Sequence, residues 1–280
     1  IWVLMSGLEK NLNRLKVTII CFLPVVLSGQ ETIRSGELNV IFYNTENFFD
    51  IQDDPLTVDE EFLPRGSRNW NKTRFERKKN DIAKVIVTSC GFNVPAIVGL
   101  AEVENLFVLE SLTGTASLSK YAYRIVHKES PDERGIDVAL LYRPDVVRPC
   151  RYTCFPLTDH EGHTMPSREI LYACFAVVPD DTLHVFFSHW PSRYSGQAET
   201  EPQRMIAAQT LRRQVEILLK TKKSPAIVIM GDFNDQPQNK SLTQGLRVKN
   251  ADHPGQPGEL INLSTKWLPA GTTKYRQSWY

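Results

Sequence analysis

The chain has 280 residues, 41% of them hydrophobic and 23% charged, with a formal net charge of +1. That length holds one large domain or two small ones, and the composition supports a sizeable core. Near-neutrality excludes the strong basic excess of a dedicated nucleic-acid binder and leaves room for a small positive cleft.

Lys10, Arg14 and Lys16 precede an apolar run at 17–27 (VTIICFLPVVL), followed by the small residues Ser28 and Gly29. This is the pattern of a secretory leader, and the run is short for a membrane span. The expectation is a removable segment 1–29, a domain over 30–280, and a secreted or periplasmic protein with no stable membrane anchor after removal. A buried N-terminal strand or an anchor is the alternative. Those 29 residues carry three basic groups against Glu9, so the remainder has a net charge of −1. It also has four cysteines, Cys90, Cys150, Cys154 and Cys174. Export permits disulfides among them, and buried free thiols are the alternative.

Residues 38–43 (LNVIFY) read as the first strand, ending in NTENFFD. Asn44 and Glu46 are two apart, so extended backbone would point both the same way. Residues 50–70 read as a loop. Thr73 with Glu76 fits a capping box for a helix that buries Phe75, Ile82 and Ile86. Arg74, Arg77, Lys78 and Lys79 read as its solvated face. Residues 94–100 (VPAIVGL) are a buried strand that delivers Glu102 and Glu104; a carboxylate there suits magnesium or calcium. A helix is expected over 105–120, and strands over 123–126 and 136–142. The second of these carries Asp137 as a polar intruder.

Residues 149–168 read as loop. His160, Glu161 and His163 within it read as exposed hairpin residues, with metal binding the alternative. Two meander strands follow at 170–178 and 183–188, and the second delivers His189 within SHWPSRYSG. A histidine at a strand end can donate to a phosphoryl oxygen or carry a proton. Helical spacing of Met205, Ala208, Leu211, Val215 and Leu218 predicts a helix over 199–222, flanked by Arg204 and Arg212. The central feature is AIVIMGDFNDQP at 226–237. Its β-branched run reads as a buried strand ending at Gly231, with Asp232, Asn234 and Asp235 immediately beyond. Carboxylates beside a core are costly unless paired or bound to a cation or phosphate. A Gly/Asp/Asn turn is the bland reading.

Strand ends therefore supply Asn44, Glu46, Glu102, His189, Asp232 and Asn234. Strands alternating with helices suggest a layered α/β fold, in which the six would line one cleft. Carboxylates there hold a hard cation that polarises a phosphoryl oxygen; Asp232 suits the attacking water, and Asn234 and His189 suit the transition state. This is the chemistry of phosphate-ester hydrolysis.

The segments YNTENFFD, GLAEVEN, RGIDVALLY, SHWPSR and IMGDFNDQP, in that order, resemble the endonuclease/exonuclease/phosphatase superfamily, the deoxyribonuclease I-like fold. The resemblance spans residues 38 to about 280. It implies an α/β four-layer sandwich of two packed mixed β-sheets flanked by helices. It implies Glu102 as main metal ligand with Asn44 and Glu46 beside it, His189 near the scissile phosphate, Asp232 placing the water and Asn234 contacting the phosphate. The expected cofactor is Mg2+, with Mn2+ or Ca2+ as substitutes. Asn44, Arg193 and Arg204 are expected to bind substrate phosphate. The expected substrate is a phosphodiester, nucleic acid included; phosphatase action on an inositol phosphate or lipid headgroup, or a non-catalytic binding protein, are the alternatives. A monomer is expected. The family's terminal Ser-Asp-His motif does not follow GTTKYRQSWY, so the chain is expected to lack the final strand, with reduced activity.

Overall fold

The computed structural model describes residues 2–6, 16–21 and 37–267 other than 92, 160, 178–180, 195, 223 and 254, with side chains from 38 to 265. In chain order the strands are β1 (Trp2–Ser6), β2 (Lys16–Cys21), β3 (Glu37–Phe48), β4 (Ile97–Val103), β5 (Arg124–His127) and β6 (Asp137–Tyr142). Then come β7 (Val147–Phe155), β8 (Ile170–Val177), β9 (Asp181–His189), β10 (Ala226–Asp232), β11 (Val248–Asn250) and β12 (Leu260–Asn262). The α-helices are α1 (Lys72–Thr88), α2 (Leu106–Thr113) and α3 (Gln197–Thr221). One sheet runs β11-β12-β1-β10-β9-β8-β7 and the other β2-β3-β4-β6-β5.

Period-2 alternation builds the layers. Leu183, Val185 and Phe187 of β9 and Val228 and Met230 of β10 share one core with Val40 and Phe42 of β3 and Leu140 of β6. That core lies between the sheets. The intervening residues face outward: Phe186, Ile227 and Ile229 pack with Ala208, Leu211 and Val215 of α3. On the far side, Ile41 and Val98 pack with Phe75 and Ile82 of α1 and Leu109 of α2. Two mixed sheets flanked by helices give the four layers expected. Gly99 sets how closely the sheets meet, because a Cβ there would sit 2.8 Å from the Met230 methyl and 2.9 Å from the Phe187 ring.

Several boundaries differ from the sequence reading. Helix α1 is capped by Asn71, whose side chain accepts from Arg74 N at 3.2 Å, two residues before the expected Thr73 box. Helix α2 stops at Thr113, where Gly114 N turns back onto Glu110 O; 119–121 form only a 3-10 turn. Residues 147–155, overlapping the start of the expected loop, are strand β7. It is an edge strand exposed along most of its length, with a register shift between Pro149 and Arg151, so it carries no apolar alternation. Of the segment 1–29, the expected leader, the described residues are β1, which pairs antiparallel with β10, and β2, which pairs parallel with β3. The run at 17–21 is short and β-branched, which suits a strand as well as a leader. Cys90, Cys150, Cys154 and Cys174 are free thiols. Glu161 and His163 are exposed, and His160 and the 271–280 segment lie outside the described residues. Among the described residues no helix is long and apolar enough to cross a membrane.

The titratable groups buried on the outer face of the larger sheet include His184. His184 is 3% exposed, with Nδ1 2.8 Å from the Tyr172 hydroxyl. Burial pushes its pKa down to about 4, and the charges of Lys222 and Arg151 add to that. The folded imidazole stays neutral below pH 6.5 while the unfolded one takes a proton, so acid favours the unfolded chain. Between about pH 6.5 and pH 4, wild-type stability should therefore fall more steeply than that of His184→Phe, by about one proton per molecule. Urea denaturation across that range measures both slopes; parallel curves would refute the assignment.

Candidate active site

Two side-by-side bulges build one half of the site. The pairing of β3 with β4 shifts register between Asn44 and Phe48, and that of β4 with β6 shifts between Ala101 and Val103. Glu46, Asn47 and Glu102 consequently adopt φ of 56°, 65° and 61°. Non-glycine residues held in the left-handed region cost about 1–3 kcal/mol each and cluster at functional sites. Buried Thr45 fastens the two bulges: its hydroxyl stands 2.8 Å from both Ala101 O and Glu102 O. Asn44 Oδ1 accepts from Glu46 N at 2.8 Å.

The other half comes from β9 and β10, which run parallel with His189 opposite Asp232. Gly231 lies just before, at φ 149°, and a Cβ there would fall 1.8 Å from Ser188 O, so only glycine fits. Trp190 N donates to Asp232 O at 2.8 Å. Asn234, at φ 49°, donates from its backbone N–H to Asp232 Oδ1 at 3.0 Å and from Nδ2 to Trp190 O at 2.9 Å.

The halves meet at Asn44. Its Nδ2 donates to Glu102 Oε1 at 3.0 Å and to Asp232 Oδ2 at 3.2 Å, joining the end of β3 to the ends of β4 and β10. His189 Nε2 stands 3.8 Å from Glu102 Oε1, beyond hydrogen-bond reach, and His189 Nδ1 is buried without a partner among the described residues. Burial pushes the His189 imidazole down to about 3, the Arg168 guanidinium adding and Asp232 opposing. Burial also works against the Asp232 carboxylate. The positive charge the facing imidazole gains when protonated, and the hydrogen bonds from Asn234 N–H and Asn44, outweigh it and leave the carboxyl below its ordinary range. We take the pair as an ionised Asp232 beside a neutral imidazole.

Two carboxylates drawn to one amide donor offer oxygen ligands, the donor type a hard divalent cation takes. Glu102 is the carboxylate that fits this role, while Asn44 turns its Nδ2 toward Glu102 and Asp232 and its Oδ1 onto Glu46 N. Glu46 is solvent-exposed and φ 56° breaks the extended geometry expected between it and Asn44. Its charge and that of Glu102 both act on Lys78.

The structure thus brings Asn44, Glu102, His189, Asp232 and Asn234 together. Arg204 does not reach that cleft, and its expected phosphate role is corrected. It is fully buried, Nε lying 2.9 Å from Asp235 Oδ1, Nη1 donating to Thr200 Oγ1 and Nη2 to Gln197 O. Arg193 is part-exposed and spends its guanidinium on Asn234 O, Gln197 Oε1 and Asp235 Oδ1, so it braces the Asn234 turn. Three contributors escaped the sequence reading. Thr45 is one. Arg168 is another: buried, paired with Asp132, and donating to the backbone carbonyls of His189 and Trp190. The third, Lys78, donates to Glu46 O and lies over the Trp70 ring. Burial lowers its pKa, against the pull of Glu46 and Glu102. Its spacing from Phe75 and Ile82, three and four residues, placed it in the buried stripe of α1.

The family profile described as "Endonuclease/Exonuclease/phosphatase family" matches residues 39–280. Among solved structures the chain is similar to the human Nocturnin catalytic domain with bound sulfate anion, at 16% identity and a TM-score of 0.50, covering 60% of this chain and 61% of that one. Its similarity to D. rerio TDP2 humanized by 14 mutations is 12% in identity with a TM-score of 0.47, covering 73% and 64% respectively. An endonuclease/exonuclease/phosphatase family protein from Bacteroides thetaiotaomicron is 17% identical with a TM-score of 0.48, covering 73% and 66%. The chain spans less than two thirds of the first two structures. The Nocturnin likeness, at that identity, speaks to the fold alone. No curated protein matches the chain.

Proposed function

The chain belongs to the endonuclease/exonuclease/phosphatase family, and we propose that it is a metal-dependent phosphodiesterase. The observation that carries this reading is Asn44 Nδ2 bridging Glu102 and Asp232, from strand ends of both sheets, with His189 alongside.

Glu102, with exposed Glu46 on the adjoining bulge, would hold the divalent ion, and Asn44 would aim the Glu102 carboxylate; when bound, the ion polarises a phosphoryl oxygen and offsets developing negative charge. The chain's own groups do the rest. Ionised Asp232, fixed through both oxygens by Asn44 and Asn234, orients a water and accepts its proton. Neutral His189, anchored through its carbonyl by Arg168, donates from Nε2 to a non-bridging oxygen. Asn234 has one amide hydrogen on Trp190 O and a second free for the phosphate. Lys78 adds positive charge at the rim. The near-neutral net charge predicts weak, salt-sensitive contact with a nucleic-acid backbone, so a small or single-stranded diester suits the site better than long duplex.

Turnover of bis-p-nitrophenyl phosphate should require Mg2+ or Mn2+, vanish with excess EDTA and return on adding the ion back. It should exceed turnover of the monoester by about tenfold or more, which is 1.4 kcal/mol of barrier. A faster monoester would move the reading to a phosphatase. No turnover of either ester by folded protein would favour a binding role.

A further inference from the structure

Helix α1 sends one of its basic side chains inward. Phe75, Ile82, Ala83 and Ile86 form its buried stripe, and Phe75 stacks on Phe48 at the end of β3, ring centroids 5.5 Å apart. Lys78 shares that stripe, so its stem runs toward the bulge that precedes Phe48. Its ammonium donates to Glu46 O and lies 5.6 Å from the centroid of the Trp70 ring, which is itself fixed by Nε1 donating to Phe49 O at 2.9 Å. Neighbouring cations of the helix have carboxylate partners on the helix itself: Lys79 pairs with Glu76, and Arg77 and Lys84 with Asp81.

The Lys78 bond completes a grip on one residue of the bulge. Glu46 N donates to Asn44 Oδ1 at 2.8 Å and Glu46 O accepts from Lys78, so the residue held at φ 56° is fastened at both of its backbone polar groups. A non-glycine residue persists in the left-handed region only where its surroundings over-determine it. Asn44 carries the effect across the site. The amide whose Oδ1 holds Glu46 N is the same planar group whose Nδ2 donates to Glu102 Oε1 at 3.0 Å. A Glu46 backbone free to turn would therefore release the Asn44 amide, and with it the aim of the Glu102 carboxylate.

We propose that Lys78 is a positioning residue of the metal site: it acts through Glu46 and Asn44 to aim Glu102, and the site holds its divalent ion more weakly without it. Lys78 has this role only if the metal-dependent reading above holds. Charge alone has the opposite effect. Lys78 is within charge range of Glu46 and Glu102, so an ammonium acting only through its field would repel a cation, and its loss would tighten binding. Positioning wins because the ammonium is committed to a carbonyl and an indole face, whereas groups that orient metal ligands are worth about 10–100-fold in metal affinity. The two effects move the dissociation constant in opposite directions.

Calorimetry with MnCl2 on the full chain, without substrate and well below Tm, measures that direction. Wild type should bind Mn2+ at a site that Glu102→Gln abolishes. Lys78→Met keeps the apolar stem and should weaken the Kd of that site by about 10–100-fold. Lys78→Gln is too short to reach Glu46 O and should do the same, so the result does not hang on one variant. Lys78→Arg should stay close to wild type, because its guanidinium still donates to a carbonyl and lies over an indole. A residue that only braced the fold would lower Tm and leave the Kd alone. An unchanged or tighter Kd in folded Lys78→Met or Lys78→Gln would overturn the proposal and leave the metal reading standing. No Mn2+ uptake by wild type would overturn both.

Discussion

Asp232→Ala should lower kcat on a phosphodiester by about 10³–10⁴-fold while the protein stays folded. Asp232 closes β10 at the point where both sheets meet, and its two oxygens accept from different segments, Oδ2 from Asn44 of β3 and Oδ1 from Asn234 N–H just past β10. Those bonds aim the carboxylate; the charge the facing His189 gains when protonated, with the bonds adding, holds it below the ordinary carboxylate range against burial. Alanine removes the acceptor, frees the Asn234 turn and leaves Asn44 with Glu102 as its one carboxylate partner. The structural loss is two hydrogen bonds at the end of a strand, about 1–3 kcal/mol in a domain whose cores lie elsewhere. Asp232→Asn separates the effects: it keeps the shape and loses the negative charge, and it should be nearly as inactive as alanine with Tm closer to wild type. KM should move far less than kcat in both, because binding of the phosphate rests on His189, Asn234 and the ion. A loss smaller than about tenfold would remove Asp232 from the chemistry.

How much of this was legible beforehand depended on periodicity. β10 announced itself because a β-branched run halted at Gly231 and was followed by Asp232 and Asn234; His189 and Glu102 were visible for the same reason, as polar residues at the ends of apolar strands. The layer arrangement came from the resemblance, since no spacing rule says which strand faces which. The bulges left no trace, because Glu46 and Glu102 take the left-handed conformation without being glycine or asparagine. Thr45 and Arg168 act through partners 56 and 36 residues distant in sequence, which single-chain spacing cannot pair. The edge strand β7 looked like loop because an exposed edge has no buried face to alternate with. Two residues were misread although the signal was present. Lys78 sits three residues after Phe75 and four before Ile82. Arg204 sits four before Ala208 and seven before Leu211. Both lie on apolar stripes, and a basic residue there must bury its charge against a partner.

For Arg204 that partner decides the second large effect: Arg204→Ala should destabilise the fold by about 3–5 kcal/mol, with a smaller effect on KM than on stability. Neither side chain of the Arg204–Asp235 pair is exposed to solvent. Asp235 also accepts from Asn239 Nδ2 at 3.1 Å, from Ser241 Oγ, and from Arg193 Nη2 at 2.7 Å. Removing Arg204 leaves an ionised carboxylate in the core with one part-exposed guanidinium to compensate, and opens a cavity under α3. Asp235 then has reason to shift toward Arg193, which holds Asn234 O, so a modest fall in kcat should accompany the loss of stability. The phosphate-binding role once suggested by the sequence predicts the reverse, a raised KM with Tm unchanged. Denaturation in urea and initial rates on one diester distinguish the two. Arg204→Met with Asp235→Leu is the decisive control: it removes both charges and fills the space, so it should recover much of the stability lost by Arg204→Ala. Its rate should stay low, because Arg193 would lose the carboxylate that fixes it against the Asn234 turn.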